Sequence, residues 1–126
     1  MKLQPDRTDS LSVTAYTASW IAINGVCYTH NLLISSNGLI QVWPGQYFAD
    51  IQTTDLDLIA PAEAEIVLLG CGKKQLFPSA ALMGAFIKRR TGVETMDTPA
   101  ACRTFNILAA EGRKVAAILL LEEPLA

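Results

Sequence analysis

Two Asn-Gly pairs, Asn24-Gly25 and Asn37-Gly38, punctuate a stretch, residues 10–49, that carries no Asp, Glu, Lys or Arg. Each pair lies between short apolar runs. Asn-Gly is the strongest short hairpin signal, because such turns need positive φ, which other residues reach only at a steric cost. Residues 20–23 and 26–28 flank the first turn, and residues 32–35 and 39–43 flank Ser36-Asn37-Gly38. Residues 12–16 alternate β-formers with small polar groups and read as a further strand. The front of the chain is therefore expected to be antiparallel sheet, broken at Trp43-Pro44-Gly45.

Composition bounds what such a sheet can belong to. The chain has 126 residues, 51% hydrophobic and 17% charged, which suits one domain over residues 1–126 with a real core. Net charge is −2, which excludes a generally basic nucleic-acid binder. The longest apolar run, residues 115–121, is far short of the ~20 residues that span a bilayer. Residues 1–6 have no apolar stretch behind Lys2, so no signal peptide is read. Cys27, Cys71 and Cys102 are odd in number and unpaired in spacing, which points to reduced thiols in a cytoplasmic protein.

The back half is different in charge and period. Residues 71–114 hold eight Lys/Arg against Glu94, Asp97 and Glu111, a local +5. A short helix is expected near Leu56, Leu58 and Ile59, capped by Thr54 with Asp57 as its capping-box partner and stopped at Pro61. Residues 66–69 form a continuous apolar run, as in a strand covered on both faces. Residues 79–90 have helical spacing, with Gly92 as the C-terminal cap. Residues 93–96 read as a strand. Thr98-Pro99 reads as an N-cap followed by proline at the first helical position. That helix should run to about Ala110 and end at Gly112, before a last strand over residues 114–121. The order is β-α-β-α-β, which implies parallel strands.

Two sets of residues are candidates for function. Gly70-Cys71-Gly72-Lys73-Lys74 follows a strand, where α/β sheets bind ligands, and Thr98 opens a helix on the same edge. Arg103 and Asn106 lie one turn along that helix. Lys73, Thr98, Arg103 and Asn106, with Gly70, Cys71 and Gly72, make a conceivable anion or ligand edge. The competing reading is structural: a tight turn, solvated lysines, and an Asn106 that satisfies backbone groups. That reading is preferred, and the edge stays open as a site. The second set is Trp20, Trp43, Tyr47 and Phe48. An uncharged, aromatic sheet region has little to repel a partner, so contact with a protein partner or a second copy is expected there. The alternative is that these aromatics are core. His30 is the single histidine and nothing places it near Cys71, so no catalytic set emerges. No metal site or cofactor is read. The balance favours a binding protein over an enzyme.

Three stretches carry a family resemblance: Glu65-Ile66-Val67-Leu68-Leu69-Gly70-Cys71-Gly72, residues 98–108 from Thr98-Pro99 to Ile107-Leu108, and Glu111-Gly112-Arg113-Lys114-Val115-Ala116-Ala117. Together they resemble the Mth-like domain family, and Asn24-Gly25 and Asn37-Gly38 also match it in position. Cys71 stands where relatives often have Thr or Ser. The resemblance implies a three-layer α/β fold, an N-terminal β-hairpin layer beside an α/β/α unit with a mixed central sheet. It implies no established enzyme activity. The family includes an assembly factor of mitochondrial NADH dehydrogenase (complex I), which implies action through protein contacts.

Overall fold

The computed structural model describes residues 11–124, so the segment read for a signal peptide lies outside it. The first turn forms as its residues require. Asn24 and Gly25 take φ of 49° and 85° and join β2 (Ile21–Ile23) to β3 (Val26–Tyr28). With β1 (Val13–Tyr16) these make an antiparallel sheet in the order β1-β2-β3. The second turn, with Gly38 at φ 109°, joins β4 (Leu32–Ser35) to β5 (Ile40–Val42). This hairpin leaves the first sheet and enters a larger one.

The larger sheet also contains β6 (Ile66–Gly70), β7 (Gly92–Met96) and β8 (Val115–Leu119), in the order β5-β4-β8-β6-β7. β6 is parallel to both β7 and β8, while β4 is antiparallel to β5 and β8. Alternation along β8 explains the three layers. Val115, Ala117 and Leu119 face a core with Ile21 and Ile23 of β2 and Ala101, Cys102 and Phe105 of α3 (Thr98–Ala110). Ala116, Ile118 and Leu120 face the opposite core. That core holds Trp43, Leu56 and Ile59 of α1 (Asp55–Ile59), and Leu82 and Phe86 of α2 (Ala80–Lys88). A strand period of two thus feeds both faces. Burying Phe86 and Phe105 fully contributes about 1.5–3 kcal/mol each.

Helix ends differ from the sequence reading, each for a physical reason. Asp97, not Thr98, caps α3: its Oδ1 accepts from the Ala100 amide at 2.8 Å, and Pro99 falls second in the helix. The left-handed residue after α2 is Arg90, at φ 55°, not Gly92, which begins β7 by donating its amide to Glu65 O at 2.9 Å. Thr54 does precede α1, but its side chain makes no capping bond, and Asp57 instead pairs with Arg89 at 2.9 Å. α1 then tightens into a 3-10 turn, Ala60–Ala62, around Pro61. Gly112 follows α3 at φ 81°, as its place after the helix demands.

Candidate functional site

The carboxyl end of β6 is built from its smallest residue. A Cβ at Gly70 would lie 3.0 Å from Thr98 Oγ1 and 3.2 Å from both Ala101 Cβ and Leu119 Cδ2. Glycine there lets α3 approach the sheet. Thr98 is buried, and its hydroxyl accepts from the Gly72 amide at 2.8 Å and donates to Leu120 O at 2.5 Å. The Thr98 amide donates to Gly72 O, and the Leu120 amide to Gly70 O. Gly72 turns at φ 86° to make this possible. These bonds tie the ends of β6 and β8 to the start of α3.

The other polar candidates are likewise engaged. Asn106 grips β1 with both ends of its amide: Nδ2 donates to Val13 O and Oδ1 accepts from Val13 N, each at 2.8 Å. Arg103 Nη1 donates to the Tyr16 hydroxyl at 3.1 Å. Both belong to the junction of α3 with the three-stranded sheet, not to the turn after β6. Lys73 pairs with Glu123 at 3.1 Å on the surface. Cys71 Sγ donates to Leu69 O at 3.4 Å, and burial pushes its thiol pKa up. A protonated, buried thiol is a poor nucleophile. A small ligand at this edge would therefore compete with Val13, Tyr16, Leu120 and Glu123 for the groups meant to hold it.

What the structure does bring together is the turn after β6 and the loop after β5. A cleft of about 800 Å3 lies between them, lined by Tyr47, Phe48, Cys71, Gly72, Lys73, Lys74, Leu76, Phe77 and Leu121, among others. Phe77 is 82% exposed and Tyr47 68%. A second hollow of about 460 Å3, lined by His30, Asn31, Val42 and Trp43, shares Tyr47 and Leu121 with it. Asn31 holds this rim: its Oδ1 accepts from the Leu121 amide at 2.8 Å and its Nδ2 donates to Gly45 O at 2.9 Å. Three of the seven ligand-edge residues, Cys71, Gly72 and Lys73, thus share one place with two of the four aromatics, Tyr47 and Phe48.

The remaining aromatics separate. Trp43 is only 2% exposed and packs in the α2-side core, with its indole donating to Asp55 Oδ1 at 3.1 Å. Trp20 is half-buried and lines neither hollow. Sequence reasoning missed Leu76 and Phe77. Their signal was available: an apolar pair between a glycine turn and Pro78, outside the helical period that begins at Ser79. Among the described residues, no three His, Cys, Asp or Glu gather to hold a metal ion, and no helix is long and apolar enough to cross a membrane.

This architecture defines a three-layer α/β domain whose strand ends are tied together by hydrogen bonds and whose rim opens into an apolar cleft. Residues 13–120 match a family described as "Protein of unknown function (DUF498/DUF598)", and the chain belongs to that family. A solution NMR structure of a Bordetella pertussis protein, a Mth938-like domain, superposes with a TM-score of 0.83 at 33% identity, covering 98% of this chain and 94% of that one. The 13 kDa major membrane protein of Francisella tularensis subsp. holarctica (strain LVS) is 33% identical over 96 residues, 74% of this chain and 76% of that protein. NADH dehydrogenase (ubiquinone) 1 alpha subcomplex assembly factor 3 of Danio rerio is 28% identical over 120 residues, 94% of this chain and 68% of that protein.

Proposed function

We propose that this protein is a small, non-enzymatic binding protein of the assembly type, which docks a partner protein at the cleft between the loops after β5 and β6. The observation that carries this reading is the exposure of Tyr47 and Phe77 on the rim of a mainly apolar cleft. Interface cores are enriched in such aromatics, and a few of them supply most of the binding energy. The assembly-factor relative, similar over nearly the whole chain, supports the same class of role. Three free cysteines suit a reducing compartment, so the cytoplasm is the expected location.

The test is a photo-crosslinking amino acid placed at position 47, with position 107 as a control. Ile107 is also exposed, but on α3, away from the cleft. In cells that make the protein, position 47 should yield a discrete adduct that position 107 does not. In a binding assay with the partner so identified, Tyr47→Asp should weaken capture at least tenfold, as truncation of an interface anchor does. Equal adduct patterns at the two positions, or full capture by Tyr47→Asp, would remove the proposal.

A further inference from the structure

Charge along the chain singles out a second surface, which meets the cleft only at Lys73, Lys74 and Phe77. Residues 66–93 contain Lys73, Lys74, Lys88, Arg89 and Arg90 and not one Asp or Glu. α2 lies in the middle of this segment. Its outward residues are Ala80, Ala81, Gly84, Ile87 and Lys88, all exposed, at the spacing of one helical stripe. Ile87 is 70% exposed, and a Cβ added at Gly84 would meet nothing within 4 Å. The stripe is apolar and smooth until the cations at its carboxyl end, and Phe77, Lys73 and Lys74 lie beyond its amino end.

Acids from neighbouring elements offset only part of this charge. Glu123 pairs with Lys73, and Asp57 of α1 pairs with Arg89. Glu94 of β7 lies on the face of Met96, which packs toward the α3-side core, whereas Val93 packs with α2. Among the described residues, Lys74, Lys88 and Arg90 make no ion pair. Glu63 lines a hollow beside Arg89 but pairs with Lys114 at 4.0 Å, so Lys88 and Arg90 leave a local excess of positive charge at the carboxyl end of α2.

We infer that the outer face of α2 binds an anionic lipid surface. The chemistry is that of an interfacial helix: apolar side chains enter the boundary of headgroups and acyl chains, and Lys and Arg meet the lipid charges beside them. A bilayer suits this face better than a protein does. Ile87 lines none of the hollows described above and stands beside the unpaired Lys88 and Arg90, the pairing of an apolar side chain with basic charge that an anionic lipid surface accepts. The inference rests on the middle and carboxyl end of α2, which do not line the cleft, and needs neither Tyr47 nor a protein partner.

Flotation with vesicles tests it, using phosphatidylcholine alone and phosphatidylcholine mixed with phosphatidylglycerol. Each juxtamembrane cation contributes about fivefold, so Lys88 and Arg90 together should favour the anionic vesicles about 25-fold. High salt should release the protein. Ile87→Asp and the double variant Lys88→Gln/Arg90→Gln should each lose binding at least tenfold while melting like the parent protein. Tyr47→Asp and Ile107→Asp should float as the parent does, which separates this result from the cleft reading. Equal flotation with both vesicle types, or none with either, overturns the inference. So does an Ile87→Asp variant that still floats. Binding to polyglutamate that Ile87→Asp leaves intact, with no flotation, would instead mark the face as a site for an acidic polypeptide.

Discussion

Replacing Thr98 by valine isolates the bonds that tie the strand ends together. Valine has the same branched shape but no hydroxyl, so packing against Gly70 and Ala101 is retained while two bonds vanish. The Gly72 amide, 2.8 Å from Oγ1, and the Leu120 carbonyl, 2.5 Å away, both belong to buried residues. Each group left unpaired costs about 1–3 kcal/mol. The two together make the expected loss about 2–6 kcal/mol, a large part of a total stability of about 5–15 kcal/mol. For a chain of this size it corresponds to a fall in Tm of about 8–24 °C. Urea and thermal melts followed by circular dichroism measure it. Thr98→Ser is the control. It keeps the hydroxyl and loses one methyl group, at about 1 kcal/mol. If Thr98→Val melts within a couple of degrees of the parent, or Thr98→Ser loses as much as valine, the hydroxyl is not holding the strand ends and the argument is wrong.

Three other outcomes are expected. Asn106→Ala removes both bonds to Val13 and should cost about 2–3 kcal/mol, with hydrogen exchange at the Val13 amide accelerating first; unchanged protection there would count against the clamp. Arg90 holds φ 55° without the freedom of glycine, so Arg90→Gly should raise stability by about 0.5–1 kcal/mol in urea melts, and a loss would show that its side chain matters more than its backbone. Burial pushes the Cys102 thiol up to about 12 from an ordinary 9.0. The unfolded chain then releases this proton from about pH 9 while the folded chain keeps it. Stability is full below pH 9 and falls between 9 and 12. Cys102→Ala should flatten that alkaline slope, and an identical slope would refute the assignment.

Local signals carried the hairpins, because Asn24, Gly25 and Gly38 encode positive φ within a few residues of themselves. The same holds for Gly112. Where two neighbours have similar local chemistry, the choice between them was tertiary. Asp97 and Thr98 can both cap a helix, and only the closeness of Gly72 and Leu120 draws the Thr98 hydroxyl away to another task. Asn106 was legible as a residue able to satisfy backbone groups, but not its partner, Val13, which lies 93 residues away. The cleft was legible in halves. Gly70 to Lys74 and the pair Tyr47-Phe48 each stood out, while their meeting depends on a sheet order that brings the loops after β5 and β6 beside the end of β8. Trp43 was misleading because an aromatic in an uncharged stretch reads alike whether it faces a partner or a core.

The sheet order also explains why the rim, and not the strand ends, is the open part of this molecule. β6 has β7 on one side, reached through α2, and β8 on the other, reached after α3, and the two helices cover opposite faces. That is a switch point, where open α/β sheets leave a crevice for ligands at the carboxyl ends of the strands. Here Gly70 allows the start of α3 to come close, and the Thr98 hydroxyl spans the gap between Gly72 and Leu120. The crevice is occupied by the chain's own groups. A molecule that binds here is met by what stands outside it: the side chains of Tyr47, Leu76 and Phe77, with Lys73 and Lys74 beside them. Such a surface has few directed polar groups to recognise a small substrate, and the docking proposed here rests on its exposed aromatics, Tyr47 and Phe77. If the proposed docking holds, Thr98 and Asn106 should govern stability and Tyr47 capture, so the two properties should be separable by single substitutions.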